Sequence, residues 1–265
     1  MKPLILVTND DGYRAPGILA LAEALESIAD VLVVAPESQR SAVGHQITLH
    51  KPIRLWERQP NRWVCSGSPV DCVYLAVQSI CADGRKPDLV VSGINRGANL
   101  GNDVFYSGTV AGAMEGLLTG FRAMAVSQLL TTSSEFNYTT SGEVDYSKAA
   151  QLTSQIALQF LNDGLPRDVL LNLNVPPNYD PALGVRACRL GRRIYDQGAV
   201  KRLDPRGREY FWIGGSQAGF EEIPDSDCVL VHQGYATLTP VHADMTDHES
   251  LDIVSTWDLA RRAEK

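Results

Sequence analysis

The feature that most restricts how this chain can fold is a series of short, almost wholly apolar runs. They fall at 4–8 (LILVT), 31–35 (VLVVA), 88–92 (DLVVS), 123–129 (AMAVSQL) and 169–175 (VLLNLNV). A strand with one wet face alternates apolar and polar residues; these do not, so both faces call for cover. Ile18, Leu21, Ala22, Leu25 and Ile28 recur at helical spacing behind Pro16, where a proline suits a first helical turn. Val70, Val73, Tyr74, Val77, Ile80 and Cys81 form a second such face, and Ala149, Leu152, Ile156, Ala157 and Phe160 a further one. Apolar strands alternating with amphipathic helices predict an α/β fold: a Rossmann-like, doubly wound, mostly parallel sheet.

Other stretches are placed around that frame. Residues 53–57 and 62–66 flank Gln59-Pro60-Asn61 and predict a hairpin. Gly93 to Gly108 reads as a long Gly/Asn/Ser loop, followed by a small-residue helix over 110–118. Residues 131–143 (TTSSEFNYTTSGE) predict a polar surface loop. From about residue 176 turn signals crowd together, at Pro176-Pro177, at 204–207 and at Gly214-Gly215. This part is expected to be a β-rich C-terminal extension with hairpin arms, closed by a terminal helix from Asp247 to about Arg262. The expectation is a single domain, 1–265, with its core at about 1–175.

Bulk numbers exclude several functions. A net charge of −7 argues against a nucleic-acid duplex or an anionic membrane surface as partner. Five cysteines at 65, 72, 81, 188 and 228 form no CxxC pair, which speaks against a disulfide framework or a zinc knuckle. The opening is too short and too soon acidic for a signal peptide, and no run reaches membrane-span length. The expected location is cytoplasmic.

In an open parallel sheet, ligands bind beyond the carboxyl ends of the strands. Three such ends carry polar clusters: Asn9-Asp10-Asp11 after the first run, Ser38 to His45 after the second, and Ser92-Gly93-Ile94-Asn95 on to Asn99 after the third. Asn-Asp-Asp-Gly also suits a tight turn, but a turn does not explain two adjacent carboxylates. A divalent cation does. Asp10 and Asp11 with oxygens from Ser41 and Asn95 make a hard, all-oxygen set suited to Mg²⁺, Mn²⁺ or Ca²⁺. Ser107-Gly108-Thr109 opens a helix. Ser107 or Thr109 serves as its N-cap in the plain reading, and the free amides with the positive dipole end also suit a phosphate. His45 lies where it could reach the crevice, or it is a partly exposed loop histidine. Neither GxxxxGK[ST] nor GxSxG is present.

These motifs resemble the SurE family of stationary-phase survival nucleotidases. The resemblance rests on 6–12 (LVTNDDG), Ala15-Pro16-Gly17, Val34-Ala35-Pro36, Gly67-Ser68-Pro69, 92–110 (SGINRGANLGNDVFYSGTV), 172–176 (NLNVP) and Gly234-Tyr235, and spans nearly the whole chain. It implies a metal-dependent phosphomonoesterase acting on nucleoside 5′- and 3′-monophosphates, with polyphosphate shortening in some members. It implies one divalent ion per subunit, Mg²⁺ or Mn²⁺, on Asp10, Asp11, Ser41 and Asn95. Phosphate contacts map to Asn99, Ser107, Gly108 and Thr109. Asn9 and His45 join them as substrate contacts at the same crevice, and Asp10, Asp11 and Asn95 are the catalytic set. A homodimer or homotetramer through C-terminal arms is implied as well. Ala42 stands where the family pattern has glycine.

Two routes stay open at this level: a water attacking phosphorus, or Asp10 or Asp11 as nucleophile through a phospho-aspartate. Rivals fit less well. A phosphoreceiver module needs an Asp at the end of the third strand, and a zinc deacetylase needs a His before its paired aspartates, where Thr8-Asn9 stands. A non-catalytic metal and nucleotide sensor is the remaining alternative.

Overall fold

A computed structural model describes residues 2–41, 43–130, 144–162, 164–195, 199–213 and 218–257. The apolar runs become strands β1 (Leu4–Thr8), β2 (Asp30–Pro36), β5 (Leu89–Arg96), β6 (Arg122–Gln128) and β7 (Val169–Val175), after a hairpin of β3 (Leu55–Gln59) and β4 (Arg62–Cys65). Helices α1 (Pro16–Glu26), α2 (Pro69–Leu75), α3 (Gly108–Leu118) and α4 (Ser147–Asn162) connect them. Small strands follow: β8 (Val185–Ala187), β9 (Arg193–Tyr195), β10 (Ala199–Leu203), β11 (Glu209–Ile213) and β12 (Ala218–Phe220). Helix α5 (Asp227–His232), strand β13 (Ala236–His242) and helix α6 (His248–Ser255) end the described chain.

Nine strands make one sheet in the order β3-β4-β2-β1-β5-β6-β7-β13-β8. Strands β4, β2, β1, β5, β6 and β7 run parallel. Both faces are covered, as the unbroken apolar runs require. One layer packs Ile18, Leu21 and Leu25 of α1 and Phe160 of α4 against Ile5, Val7, Val91 and Met124. The other packs Cys72, Val73, Val110 and Leu117 of α2 and α3 against Leu6, Val34 and Val90. The chain passes from β1 outward to β2 and later returns to β5 on the opposite side of β1. The direction of winding therefore reverses between β1 and β5, and a crevice opens beyond their carboxyl ends.

Three expectations change. The third strand does not stop at Ser92: β5 runs to Arg96, because past a register shift Asn95 and Arg96 pair with Ser127 and Gln128. Gly93 sits at that irregularity with φ +143°, and a Cβ there would strike the carbonyl oxygen of Val126. The helix expected over 70–81 is α-helical only to Leu75 and closes with one π turn, Ala76–Ile80. The C-terminal part is not only an addition: β13 pairs antiparallel with β7 and carries β8, so the main sheet continues through it. The paired strands β10–β11 and β9–β12 lie outside that sheet, as hairpin arms would. The 131–143 loop, Ala42 and the end of the expected terminal helix fall outside the described residues.

Two buried carboxylates fasten loops to this frame. Asp71 closes a capping box on α2 with Ser68 and also accepts the backbone N–H and the hydroxyl of Thr48, at 2.8 and 2.7 Å. Asp227 accepts the amides of Gly101 (2.8 Å), Gly191 (2.7 Å) and Cys228 (2.8 Å). Replacing Asp71 by Ala removes a helix cap and leaves buried donors unmatched. We expect a loss of about 2–4 kcal/mol in urea unfolding; a loss below 1 kcal/mol would show that water replaces the carboxylate.

Candidate metal and phosphate site

The end of β1 is the hub. Asp10 is 5% exposed and follows Asn9, which is fully buried. The backbone carbonyl of Asp10 accepts the amide of Arg40 at 2.7 Å, which draws the loop after β2 toward it. The carboxylate of Asp11 accepts the amide of Arg96 at 3.0 Å, which ties in the end of β5. The hydroxyl of Thr109 donates to the carboxylate of Asp10 in a short hydrogen bond. Gly108 lies so close that a Cβ would come within 2.8 Å of the Asp10 Cβ. Three strand ends and the start of α3 thus converge on one pair of acids.

The electrostatics of this pair are unfavourable by themselves. Burial, and then the charge of Asp11, push the carboxyl of Asp10 up to about 7. Burial raises Asp11 too, offset in part by the amide and charge of Arg96. Ionised carboxylates in such a place call for a positive partner.

Asn95 sits at the end of β5, partly buried. Its side-chain nitrogen donates to the carbonyl of Gly97 at 2.9 Å, which leaves the amide oxygen as the atom offered to a cation. The hydroxyl of Ser41 is exposed and accepts a hydrogen bond from the Gln39 side chain at 2.9 Å. In kind, two carboxylates, an amide oxygen and a hydroxyl are the hard oxygen donors that suit a divalent cation.

The helix start is built as the sequence suggests. The Ser107 side chain caps α3 by accepting the Val110 amide at 3.0 Å. Asn99 is clamped from below: its amide N–H donates to the Asn174 side-chain oxygen at 2.8 Å, and its carbonyl accepts the side-chain nitrogens of Asn172 and Asn174 at 2.9 and 3.0 Å. Its own side-chain nitrogen donates to Ser127 at 2.7 Å.

Both ends of the Asn9 amide bond the backbone of Gly12, at 3.0 and 3.2 Å, and shape the turn after β1. The Nε2 of His45 lies 3.0 Å from the Glu115 carboxylate, two helical turns beyond Gly108. The ring anchors a strap held also by Gly44 on Tyr106 (3.1 Å) and by the Ser68 hydroxyl on Gln46 (2.6 Å). Asn172 and Asn174 belong to the 172–176 motif of the family resemblance, but their role as a clamp on Asn99 is not visible in the sequence, nor are the roles of Glu115 and Ser127; a carboxylate inside an otherwise small and apolar helix is the available signal for Glu115.

The family model described as "Survival protein SurE" matches residues 5–197. A Syntrophotalea carbinolica protein named 5′-nucleotidase SurE is 44% identical over 256 residues, 97% of this chain and 98% of its own. The protein of the same name from Geobacter sulfurreducens is 46% identical over 257 residues, 97% of this chain and 94% of its own. The crystal structure of the SurE protein from Aquifex aeolicus superposes with a TM-score of 0.82 at 36% identity, covering 96% of this chain and 98% of that one.

The raised Asp10 carboxyl has a consequence for stability. In the unfolded chain it titrates near 3.8 and in the metal-free folded chain near 7. The folded state holds the proton more tightly, so this group's favourable contribution is complete below pH 4 and is lost as pH rises through 7. Asp10→Asn removes the charge. The variant, metal-free, should melt several degrees above wild type at pH 8 and level with it at pH 4. An equal gap at both pH values would sink the assignment.

Proposed function

The chain belongs to the SurE family, and from that premise we propose that it hydrolyses nucleoside monophosphates to nucleoside and phosphate in a reaction that requires a divalent cation. The observation that carries this reading is the seating of the α3 N-terminus directly against Asp10. Free amides at a helix start bind phosphoryl oxygens. Here they stand beside two acids that need a cation, which is the pairing that phosphoryl hydrolysis uses.

Each residue has a part in this scheme. Asp10 and Asp11, with the oxygens of Asn95 and Ser41, hold the ion, which we take to be Mg²⁺ or Mn²⁺, one per subunit. When bound, the cation neutralises the carboxylate pair and draws charge from the phosphoryl oxygens. Gly108 and Thr109 present backbone amides to the phosphate, and Gly108 has no side chain to bar its approach. Thr109 also fixes the rotamer of Asp10. The Asn172–Asn174 clamp on Asn99 and the strap anchored by His45 on Glu115 hold the two flanking loops in place, so little reorganisation is needed when substrate arrives. The exposed β10–β11 hairpin, with Phe211 and Trp212 largely in solvent, suits a homodimer or homotetramer built through the C-terminal arms.

No helix among the described residues is long and apolar enough to cross a membrane. The names of the relatives specify the 5′ ester; we extend the reading to 3′ esters as a matter for assay. Phosphate release from adenosine 5′- and 3′-monophosphate should vanish on chelation and return with Mg²⁺ or Mn²⁺. Asp10→Asn should lower kcat/KM by about a hundredfold or more at saturating metal. Metal binding with no ester cleaved by wild type would instead identify a sensor.

A further inference from the structure

Two large rings stand in solvent beside the phosphate seat. Phe105 is 61% and Tyr106 68% exposed, while Val104 before them and Ser107 after them are each only 8% exposed. Their backbone is not loose. Residues Gly101–Phe105 form a 3-10 turn, and the Tyr106 amide donates to the carbonyl of Asp103 at 2.9 Å. The Tyr106 carbonyl accepts Gly44 of the strap at 3.1 Å. The guanidinium of buried Arg193 pairs with Asp103 at 3.4 Å, and Asp227 holds Gly101. A segment pinned at both ends and on both sides presents its two apolar side chains outward.

Neither ring is needed for the core, and both are adjacent to the group that receives the phosphate. Tyr106 directly precedes the Ser107 cap, and Gly108 follows one residue later. Consecutive Cα atoms stand about 3.8 Å apart, so the Tyr106 Cα lies no more than roughly 7.6 Å from that of Gly108, the scale on which a ribose separates a phosphate from its base. Aromatic rings held rigidly at that distance can accept the flat face of a base, and stacking serves purines and pyrimidines alike because each has a π face.

We propose that Phe105 and Tyr106 form the nucleobase subsite, a stacking platform that selects nucleotides over phosphate esters lacking an aromatic base without choosing strongly among bases. The proposal rests on the nucleotidase reading and adds to it the recognition of the non-reacting end of the substrate. Binding energy gathered there is remote from phosphorus and lowers KM or raises kcat/KM only for substrates that carry a base.

The test compares adenosine 5′-monophosphate with ribose 5-phosphate, which shares the phosphate and sugar and lacks the base. Both are assayed with the metal-loaded full chain, as wild type, as the double variant Phe105→Ala/Tyr106→Ala and as Tyr106→Phe. The expected result is a ratio of kcat/KM, nucleotide over ribose 5-phosphate, that falls about tenfold in the double variant and is kept in Tyr106→Phe. Both side chains face solvent, so the double variant should fold, and its melting temperature reports that directly. An unchanged ratio overturns the subsite, whether both esters weaken together or neither does. A ratio lost equally in Tyr106→Phe also overturns it, since the hydroxyl and not the ring face would then be recognised. Absence of nucleotide hydrolysis by wild type is a different failure: it removes the nucleotidase reading, and this subsite with it.

Discussion

Two carboxylates on consecutive residues, at the buried end of a parallel strand, are the constraint around which the rest of the molecule is arranged. Neither Asp10 nor Asp11 is comfortable where it stands: burial opposes the charge of each, and the charge of Asp11 further opposes that of Asp10. The chain answers with dipoles. The amide of Arg96 faces Asp11, the hydroxyl of Thr109 faces Asp10, and the first turn of α3 abuts the same side chain. These partners soften the repulsion without cancelling it. What is left over is the negative charge that the proposed cation would neutralise, and a cation that binds only the folded state would stabilise it by mass action.

The place of that pair in the sheet follows from its topology. Among the described residues the winding reverses between β1 and β5, where two neighbouring strand ends open onto a shared crevice. The strand order brings Asp10 and Asp11 beside Asn95, and the helix that leaves the crevice starts with Ser107, Gly108 and Thr109. The fold fixes position and the side chains fix chemistry.

Much of this was legible in the residues. Strands β1, β2, β6 and β7 announce themselves because a strand covered on both faces is apolar throughout, and α1 and α4 because their buried stripes recur at helical spacing. Asp10, Asp11, Asn95 and the Ser107–Thr109 start were visible as polar residues stationed at strand and helix ends. What stayed hidden depends on pairing across the sequence. Gly93-Ile94-Asn95 has the composition of a turn, and only the ladder with β6, more than thirty residues on, keeps it extended. Asn174 meets Asn99, and Glu115 meets His45, across about seventy residues each; no local periodicity records such partners. The hydrogen bonds of Asn9 to Gly12 are local, and the turn-forming character of Asn-Asp-Asp-Gly already pointed to them.

The role of Asp227 recasts how the C-terminal strands relate to the site. One carboxylate joins the loop that feeds Ser107, through Gly101, to the stretch that begins the arms, through Gly191. The stretch that leads into the arms is therefore tied, through one side chain, to the loop that precedes the start of α3. Replacing Asp227 would leave the amides of Gly101 and Gly191 without an acceptor and slacken the loop that leads to Ser107, although no residue proposed to touch a ligand had been altered.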